Sequence, residues 1–208
     1  MPEIAARIFG DRMPLARRFA ELLITDALQR GLIGPREPGR IWTRHLLNCA
    51  ALADAVPTGA AVVDVGSGAG LPGLVIAIRR PDISVRLVEA QERRTAFLDA
   101  AVAALGLRAQ VTVLRGRAED AEIVRAAGSA DVVTARAVAP LDRLVRWCLP
   151  LLSSTGRLAL IRGATAAEEL RQHRAAIRRA GGRHARVMPC RVGEAVVPVV
   201  LIDREGRP

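Results

Sequence analysis

After residue 60 the chain alternates short apolar runs with stretches in which apolar residues recur every three or four positions. The short runs have the length of β-strands, and the spaced pattern is typical of amphipathic helices. The runs predict strands at 61–66, 84–90, 111–116, 131–136, 156–163, 183–190 and 195–203. The spaced stretches predict helices at 71–80, 91–105, 119–127, 140–152 and 165–180. Residues 59–208 therefore make up one α/β unit.

The same pattern predicts how the sheet is built. Several strands contain continuous apolar runs, as expected of parallel strands that helices cover on both faces. The last two strands follow each other without a helix, which predicts an antiparallel hairpin at the edge of the sheet. The chain is thus predicted to be an α/β protein with a Rossmann-like, seven-stranded and mostly parallel sheet. A ligand is expected at the carboxyl ends of the central strands, where the winding direction reverses.

Residues 1–58 show a different pattern. Helical periodicity covers 15–30 and 42–55, and the intervening segment 31–39 holds three glycines and two prolines. We interpret this region as a helical extension that forms one compact molecule with the α/β unit. Two roles stay open for it: it would cover the ligand site and touch the substrate, or it would simply cap one edge of the sheet.

The balance of charge points to a class of partner. The chain has 31 basic and 21 acidic residues, a formal net charge of +10, and every basic residue is an arginine. Such an excess favours a polyanion, most plausibly nucleic acid, because phosphate contacts dominate that kind of affinity. With three Phe, two Trp and no Tyr, the chain offers no stacking platform for unpaired bases. Recognition would therefore depend on charge and shape.

Other sequence features narrow the class of protein further. No apolar run approaches the ~18 residues of a transmembrane helix, and the N-terminus lacks the apolar core of a signal peptide. We therefore expect a cytoplasmic protein without membrane contact, and a monomer, although the sequence leaves the oligomeric state open. The cysteines and histidines lack the spacing of a disulfide framework or a metal site, so no metal is predicted. They are Cys49, Cys148, Cys190, His45, His173 and His184.

The most informative segment is 62–73, where a buried strand leads into three alternating glycines and the start of a helix. Glycine lets the backbone approach a ligand closely, and amides at a helix start bind polar groups. A carboxylate two residues before the first glycine would repel a pyrophosphate, but it suits an ammonium or a hydroxyl group. We therefore predict that Asp64, Gly66, Gly68 and Gly70 bind S-adenosylmethionine, which has an amino-acid end and no phosphate.

Two other interpretations of this loop remain. A shifted frame through Gly68, Gly70 and Gly73 matches the bare dinucleotide-binding pattern, although its first glycine lies two residues beyond the strand. The glycines could also form a turn without a ligand. A P-loop is excluded, because no Gly-Lys-Ser/Thr follows.

Residues after the next two strands complete the predicted cofactor site. Glu89 ends the second strand, where an acid can accept hydrogen bonds from both ribose hydroxyls of a nucleoside. Ala118 and Glu119 follow the third strand and are placed to meet the adenine edge. The alternatives are a solvated acid at Glu89 and a Glu119 that only favours the N-terminus of the next helix.

The end of the fourth strand bears on the reaction class. The segment from Thr134 to Pro140 lacks the Asn/Asp-Pro-Pro-aromatic element of enzymes that methylate exocyclic amines. Cys148 and Cys190 do not follow strand four or five as the nucleophile of pyrimidine C5 methylation does, so we interpret both as structural. No general base is evident nearby. These observations favour methyl transfer to an atom with a free lone pair, such as guanine N7.

Taken together, these residues resemble the bacterial 16S rRNA (guanine-527)-N7 methyltransferases, the glucose-inhibited division protein B family, over nearly the whole chain. The fold implied is that of the class I S-adenosylmethionine-dependent methyltransferases. The resemblance is strongest in the Leu71-Pro72-Gly73 extension of the loop and in Ala135-Arg136-Ala137. It also includes Arg44-His45-Leu46-Leu47-Asn48, Glu92-Arg93-Arg94-Thr95-Ala96-Phe97-Leu98, Arg117-Ala118-Glu119 and Leu160-Ile161-Arg162-Gly163.

The resemblance implies roles for individual residues. Gly66, Leu71, Ala118, Glu119 and Arg136 would contact S-adenosylmethionine. His45, Arg117 and Arg162 would lie near the RNA or the reaction centre, although no residue is identified as catalytic. Two positions depart from the family pattern: Arg162 stands where lysine is usual, and Asn48 where aspartate is frequent.

The implied activity is methylation of guanine 527 of 16S rRNA, with the rRNA or a small ribosomal subunit particle as partner. Segment 165–186 would supply a phosphate-binding face or merely a solvated basic helix; its arginines are Arg171, Arg174, Arg178, Arg179, Arg183 and Arg186. Three alternatives remain: a methyltransferase for another RNA or a small molecule, a non-catalytic nucleoside- or RNA-binding module, and an NAD-binding oxidoreductase.

Overall fold

The computed structural model describes residues 3–136 and 139–205. The strands are β1 (Ala61–Val65), β2 (Ser84–Glu89), β3 (Val111–Arg115), β4 (Ala130–Arg136), β5 (Leu152–Ile161), β6 (Gly182–Val192) and β7 (Ala195–Arg204). They form one sheet in the order β3-β2-β1-β4-β5-β7-β6. Strand β7 is antiparallel to β5 and β6, and the other neighbouring pairs are parallel. The predicted sheet and its edge hairpin are confirmed.

The helices are α1 (Glu3–Phe9), α2 (Met13–Leu22), α3 (Leu47–Leu52), α4 (Gly73–Arg79), α5 (Glu92–Ala104), α6 (Ala121–Ala127), α7 (Leu141–Cys148) and α8 (Ala166–Arg179). Successive strand residues alternate between two hydrophobic cores, one on each face of the sheet. Val62 and Val132 belong to one core, and Val63 and Val133 to the other. The continuous apolar runs therefore arise because both faces of each central strand are covered.

Several predicted boundaries were wrong by two to four residues. Helix α4 begins at Gly73 rather than at residue 71, and α6 begins at Ala121 rather than at residue 119, because turns occupy the intervening positions. Helix α7 ends at Cys148, where the 3-10 turn Leu149–Leu151 leads directly into β5. Strand β5 consequently starts at Leu152, four residues before the predicted start.

The helical extension is longer and less regular than predicted. Helix α1 was not predicted, and α2 continues into a π-helical turn, Leu23–Ala27. A second π-helical turn, Ile41–Leu46, precedes α3. Phe19 and Leu46 are fully buried in the same core as the β1 residue Val62, so the extension shares the hydrophobic core of the sheet.

Among the described residues, neither a membrane-spanning helix nor a metal site is found. None of the helices in residues 3–136 and 139–205 combines the length and the apolar character that crossing a membrane requires. In the same residues, no group of three or more His, Cys, Asp and Glu side chains is arranged to hold a metal ion.

Candidate functional site

A cleft of about 620 Å³ lies at the carboxyl ends of the parallel strands. Its walls come from the segment before α3, the loop after β1, the ends of β2, β3 and β4, and helix α7. Strands β2 and β3 extend to one side of β1, whereas β4 and β5 extend to the other. The cleft thus lies at the reversal of winding direction, where open α/β sheets bind ligands.

In the loop after β1, glycines expose backbone atoms to the cleft. Gly66, Gly68 and Gly70 have φ angles of 68°, 55° and 88°, a region that side chains other than hydrogen disfavour. The amide nitrogens of Gly66 and Ser67 donate to the carbonyl oxygen of Val88 at 2.8 and 3.2 Å, which ties the loop to β2. A Cβ atom on Gly70 would lie 2.5 Å from Leu74 Cδ1. At position 70, glycine is therefore required both by the positive φ angle and by the close packing against Leu74.

Asp64 lies beneath this loop and binds the first residue of helix α4. Its Oδ2 accepts a hydrogen bond of 3.0 Å from the amide of Gly73, and a Cβ atom on Gly73 would approach that oxygen to 2.7 Å. Its Oδ1 has no hydrogen-bond partner in the described part of the chain. Burial raises the pKa of the Asp64 carboxyl to about 7, although hydrogen bonds from Gly73 and Ser67 oppose this rise. The side chain is fully buried and does not line the cleft, so its direct contact with a cofactor stays a prediction.

Glu89 lines the cleft and is hydrogen-bonded to the loop. Its Oε2 accepts from the amide of Gly68 at 3.0 Å, and its Oε1 accepts from the amide of Gln91 at 2.9 Å. Arg94 Nη1 lies 3.5 Å from Oε2. Because two backbone amides fix the carboxylate, its remaining lone pairs have a defined direction toward the cleft. That arrangement suits a pair of vicinal hydroxyls.

Arg136, at the end of β4, is held by the helical extension. Its Nη2 lies 2.5 Å from His45 Nδ1, and its Nη1 donates to Cys49 Sγ at 3.4 Å. On the other side of the imidazole ring, His45 Nε2 lies 2.5 Å from Glu37 Oε2. The neighbouring segment Ala137–Val138, part of the motif used for the resemblance, lies outside the described residues.

A second groove, of about 710 Å³, adjoins the cleft and shares Arg136 with it. Arg44 and Asn48 line this groove from one side, and Arg162 lines it from the end of β5. The side chain of Arg44 is 57% exposed, and its Nη1 forms an ion pair of 3.3 Å with Glu37 Oε1. Arg136 therefore stands at the boundary between a nucleoside-sized cleft and a basic groove.

Arg162 is already neutralised within the protein. Its Nε donates to Glu169 Oε2 at 2.9 Å, its Nη2 donates to Glu169 Oε1, and its Nη1 donates to the carbonyl oxygen of Ala139 at 3.1 Å. The two side chains are only 13% and 19% exposed. Arg162 thus joins β5, α8 and the residues before α7, and it does not line the cofactor cleft.

The structure brings most of the predicted site residues together. The cleft is lined by Gly66, Gly68, Leu71, Glu89, Ala118, Glu119, Arg136, His45 and Arg117. Asp64 lies beneath the loop, Gly70 belongs to the loop but does not line the cleft, and Arg162 belongs to the neighbouring groove. Sequence reasoning missed Glu37, Arg94 and Trp147, which also line the cleft. For Glu37 one signal was present: its place in the glycine- and proline-rich segment before α3.

The site fits S-adenosylmethionine better than a dinucleotide. The buried carboxyl of Asp64 lies next to the glycine loop and is unfavourable for a pyrophosphate. The carboxylate of Glu89 suits the ribose of either ligand and does not discriminate between them. The unpartnered oxygen of Asp64 lies beneath the same loop, where it favours a nearby cation or hydrogen-bond donor. The exposed Glu119 beside the buried Ala118 completes a surface of backbone and carboxylate for a purine edge.

Comparison with known proteins identifies the family. The profile of the GidB family, described as rRNA small subunit methyltransferase G, matches residues 12–197. The chain belongs to this family. It is 56% identical to the ribosomal RNA small subunit methyltransferase G of Salinispora tropica, covering 97% of this chain and 86% of that one. The protein of the same name from Rhodococcus jostii is 48% identical, covering 98% and 89%.

Solved structures confirm the fold class. A putative S-adenosyl-L-methionine-dependent methyltransferase from Methanococcus maripaludis superposes with a TM-score of 0.61 at 13% identity, covering 93% of each chain. TYW2 of M. jannaschii, in complex with AdoMet, superposes with a TM-score of 0.58 at 16% identity, covering 81% of this chain and 78% of that one. At such identities the likeness concerns the fold alone. The family resemblance and the methyltransferase fold predicted from the sequence are confirmed.

Proposed function

We propose that this protein transfers the methyl group of S-adenosylmethionine to N7 of a guanine in 16S rRNA, position 527 by the family resemblance. The observation that carries the proposal is the juxtaposition at Arg136 of a nucleoside-sized cleft and a basic groove. Membership of the rRNA small subunit methyltransferase G family supplies the class of substrate.

Residues on the cleft wall account for binding of the methyl donor. The backbone of Gly66 and Gly68 receives its amino-acid end, Glu89 accepts the ribose hydroxyls, and Ala118 with Glu119 faces the adenine. When bound, S-adenosylmethionine supplies an electrophilic methyl group attached to a positively charged sulfur. The carboxyl of Asp64 beneath the loop opposes a pyrophosphate and thereby favours this ligand.

The chain does not need to supply a base or a nucleophile for this reaction. Guanine N7 is unprotonated at neutral pH, so its lone pair forms the new N–C bond while the pair of the S–C bond stays with sulfur. Burial raises the pKa of the Cys49 thiol to about 11 and also raises the pKa of Cys148, so neither provides a thiolate. Catalysis then consists of alignment, which can contribute about 7–11 kcal/mol.

The RNA partner is matched by the charges around the groove. Arg44 and Asn48 line its entrance, and both lie on the side of the helical extension. Helix α8 carries further exposed arginines: Arg171, Arg174 and Arg178 share one face at helical spacing, and Arg171 pairs with Glu168. Arg162 contributes less, because Glu169 neutralises its charge.

The decisive experiment supplies the full-length protein with radiolabelled S-adenosylmethionine and either purified 16S rRNA or small-subunit particles. The expected result is one labelled 7-methylguanine, at position 527, located by chemical strand scission at the modified base. A matched RNA with 7-deazaguanine at that position should accept no label, because it lacks the attacking lone pair.

Two outcomes would contradict the proposal. Label at a pyrimidine or an exocyclic amine would show a different reaction class. Tight binding of S-adenosylmethionine without transfer to any ribosomal RNA would instead support a non-catalytic module.

A further inference from the structure

Three side chains form a continuous chain of hydrogen bonds from the helical extension to the cleft. Glu37 comes from the segment between the two π-helical turns, and His45 lies within the second of these turns. The imidazole of His45 is only 6% exposed and lies between the Glu37 carboxylate and the Arg136 guanidinium, at 2.5 Å from each. Irregular helical turns of this kind often mark functional positions.

The chemistry of the three groups fixes where the protons are. A guanidinium can only donate hydrogen bonds, so His45 Nδ1 must accept and therefore carries no proton. The single proton of the neutral ring is then on Nε2, where it is donated to the carboxylate of Glu37. One tautomer satisfies both contacts, and the opposite tautomer breaks both.

The electrostatics agree with this arrangement. Burial lowers the pKa of His45 below its ordinary value, and the positive charges of Arg136 and Arg44 lower it further, whereas Glu37 acts to raise it. The hydrogen bond with His45 lowers the pKa of Glu37. The ring is therefore neutral and the carboxylate charged at neutral pH, as the hydrogen bonds require.

Arg136 lines both the cleft and the groove, so the orientation of its guanidinium affects both. We propose that Glu37 is a positioning residue for methyl transfer: it holds His45 in the Nε2–H tautomer, and Nδ1 of His45 then orients Arg136 toward the bound reactants. This proposal rests on the proposed function, because it assigns Arg136 to the methyl-transfer site. It also gives the helical extension a role at the site beyond capping the sheet.

The test compares the wild type with Glu37→Gln, which keeps the size of the side chain but removes its charge. We expect kcat/KM for methyl transfer at neutral pH to fall by about 10-fold, as for a lost charge-assisted hydrogen bond. The wild type should also lose activity at acidic pH, because a protonated His45 presents a proton to Arg136. This loss of activity is the acidic limb of the pH profile. In Glu37→Gln the acidic limb should move to lower pH, since the carboxylate no longer favours the imidazolium.

Nitrogen-15 NMR of histidine-labelled protein measures the tautomer directly, with His45 assigned from a His45→Gln sample. The wild type should show a protonated Nε2 and an unprotonated Nδ1 at His45. Glu37→Gln should show a larger fraction of the Nδ1–H tautomer, because an amide oxygen accepts the Nε2 proton less strongly than a carboxylate and Arg136 alone then opposes that tautomer. Glu37→Asp, which restores the charge on a shorter side chain, should recover part of the activity. Glu21→Gln, at an exposed carboxylate of α2, is the matched control and should behave as the wild type.

An Nδ1–H tautomer in the wild type would overturn the proposal. So would a Glu37→Gln protein that loses activity while its acidic limb and its His45 tautomer stay as in the wild type, since that pattern indicates a purely structural contact. The NMR measurement needs no RNA. A failure of the proposed function, seen as wild-type protein that modifies no rRNA, is therefore distinguishable from a failure of this inference.

Discussion

Two arginines end neighbouring parallel strands, yet their surroundings differ. Arg136 ends β4 and pairs in register with Ile161, so Arg162 lies only one residue beyond the corresponding position of β5. Arg162 is bound through two nitrogens to the carboxylate of Glu169. Arg136 is held by an imidazole nitrogen and a thiol, and it forms no ion pair with a carboxylate of residues 3–136 or 139–205.

From this comparison we infer that Arg162 is a structural cation and Arg136 a functional one. An arginine paired with a buried carboxylate has little net charge left for a ligand, and the pair serves mainly to hold elements together. An arginine held by neutral acceptors keeps its orientation and its full charge. We therefore expect variants of Arg162 to affect stability, and variants of Arg136 to affect binding.

The largest effect is expected for Arg162→Ala. Removal of one partner leaves Glu169 as a largely buried, unpaired charge, which costs about 3–5 kcal/mol of unfolding free energy. Urea denaturation followed by circular dichroism measures this loss. The double variant Arg162→Met/Glu169→Met removes both charges and should recover most of the stability. A loss below about 1 kcal/mol in the single variant would mean that the pair is weak and that the comparison fails.

Arg136→Ala should act mainly on the ligand. The dissociation constant for S-adenosylmethionine should rise by about 10- to 100-fold, as expected for a lost hydrogen bond from a charged group. Isothermal titration calorimetry measures the affinity, and urea denaturation should show a change in unfolding free energy below about 1 kcal/mol. Unchanged affinity together with a large loss of stability would place Arg136 in the same structural class as Arg162.

The dependence of stability on pH tests whether Asp64 forms an ion pair with Arg136. Its pKa of about 7 in the folded protein exceeds the ordinary value of 3.8. Between these values the unfolded chain loses the proton while the folded protein keeps it, so stability falls as pH rises from about 4 to 7 and then levels off.

Relative to Asp64→Asn, the wild type should therefore lose about 3 kcal/mol of unfolding free energy across that pH range. Denaturant titrations of both proteins at pH 4, 5.5 and 7 measure the difference. A wild type that instead gains stability with rising pH would indicate a lowered pKa and hence an ion pair with Arg136.

The local requirements of the fold were visible in the sequence. Residues that must adopt positive φ angles are glycine at 66, 68 and 70, and strands covered on both faces contain continuous apolar runs. Glu89 was predicted because the end of the second strand has a fixed relation to the loop after the first. Element boundaries were less accurate, because turns such as Leu149–Leu151 carry the same apolar pattern as the helix before them.

The partners of the two arginines were decided only by the tertiary structure. Glu37, His45 and Arg136 are separated by 8 and 91 positions, and Arg162 and Glu169 lie on different elements seven positions apart. No local pattern specifies such contacts, because they depend on which helices pack against which strand ends. The sequence alone determined the sheet, the glycine loop and the family. The packing of the extension on that sheet decided which arginine keeps its charge for the reaction, because a cation stays available only where no buried carboxylate reaches it.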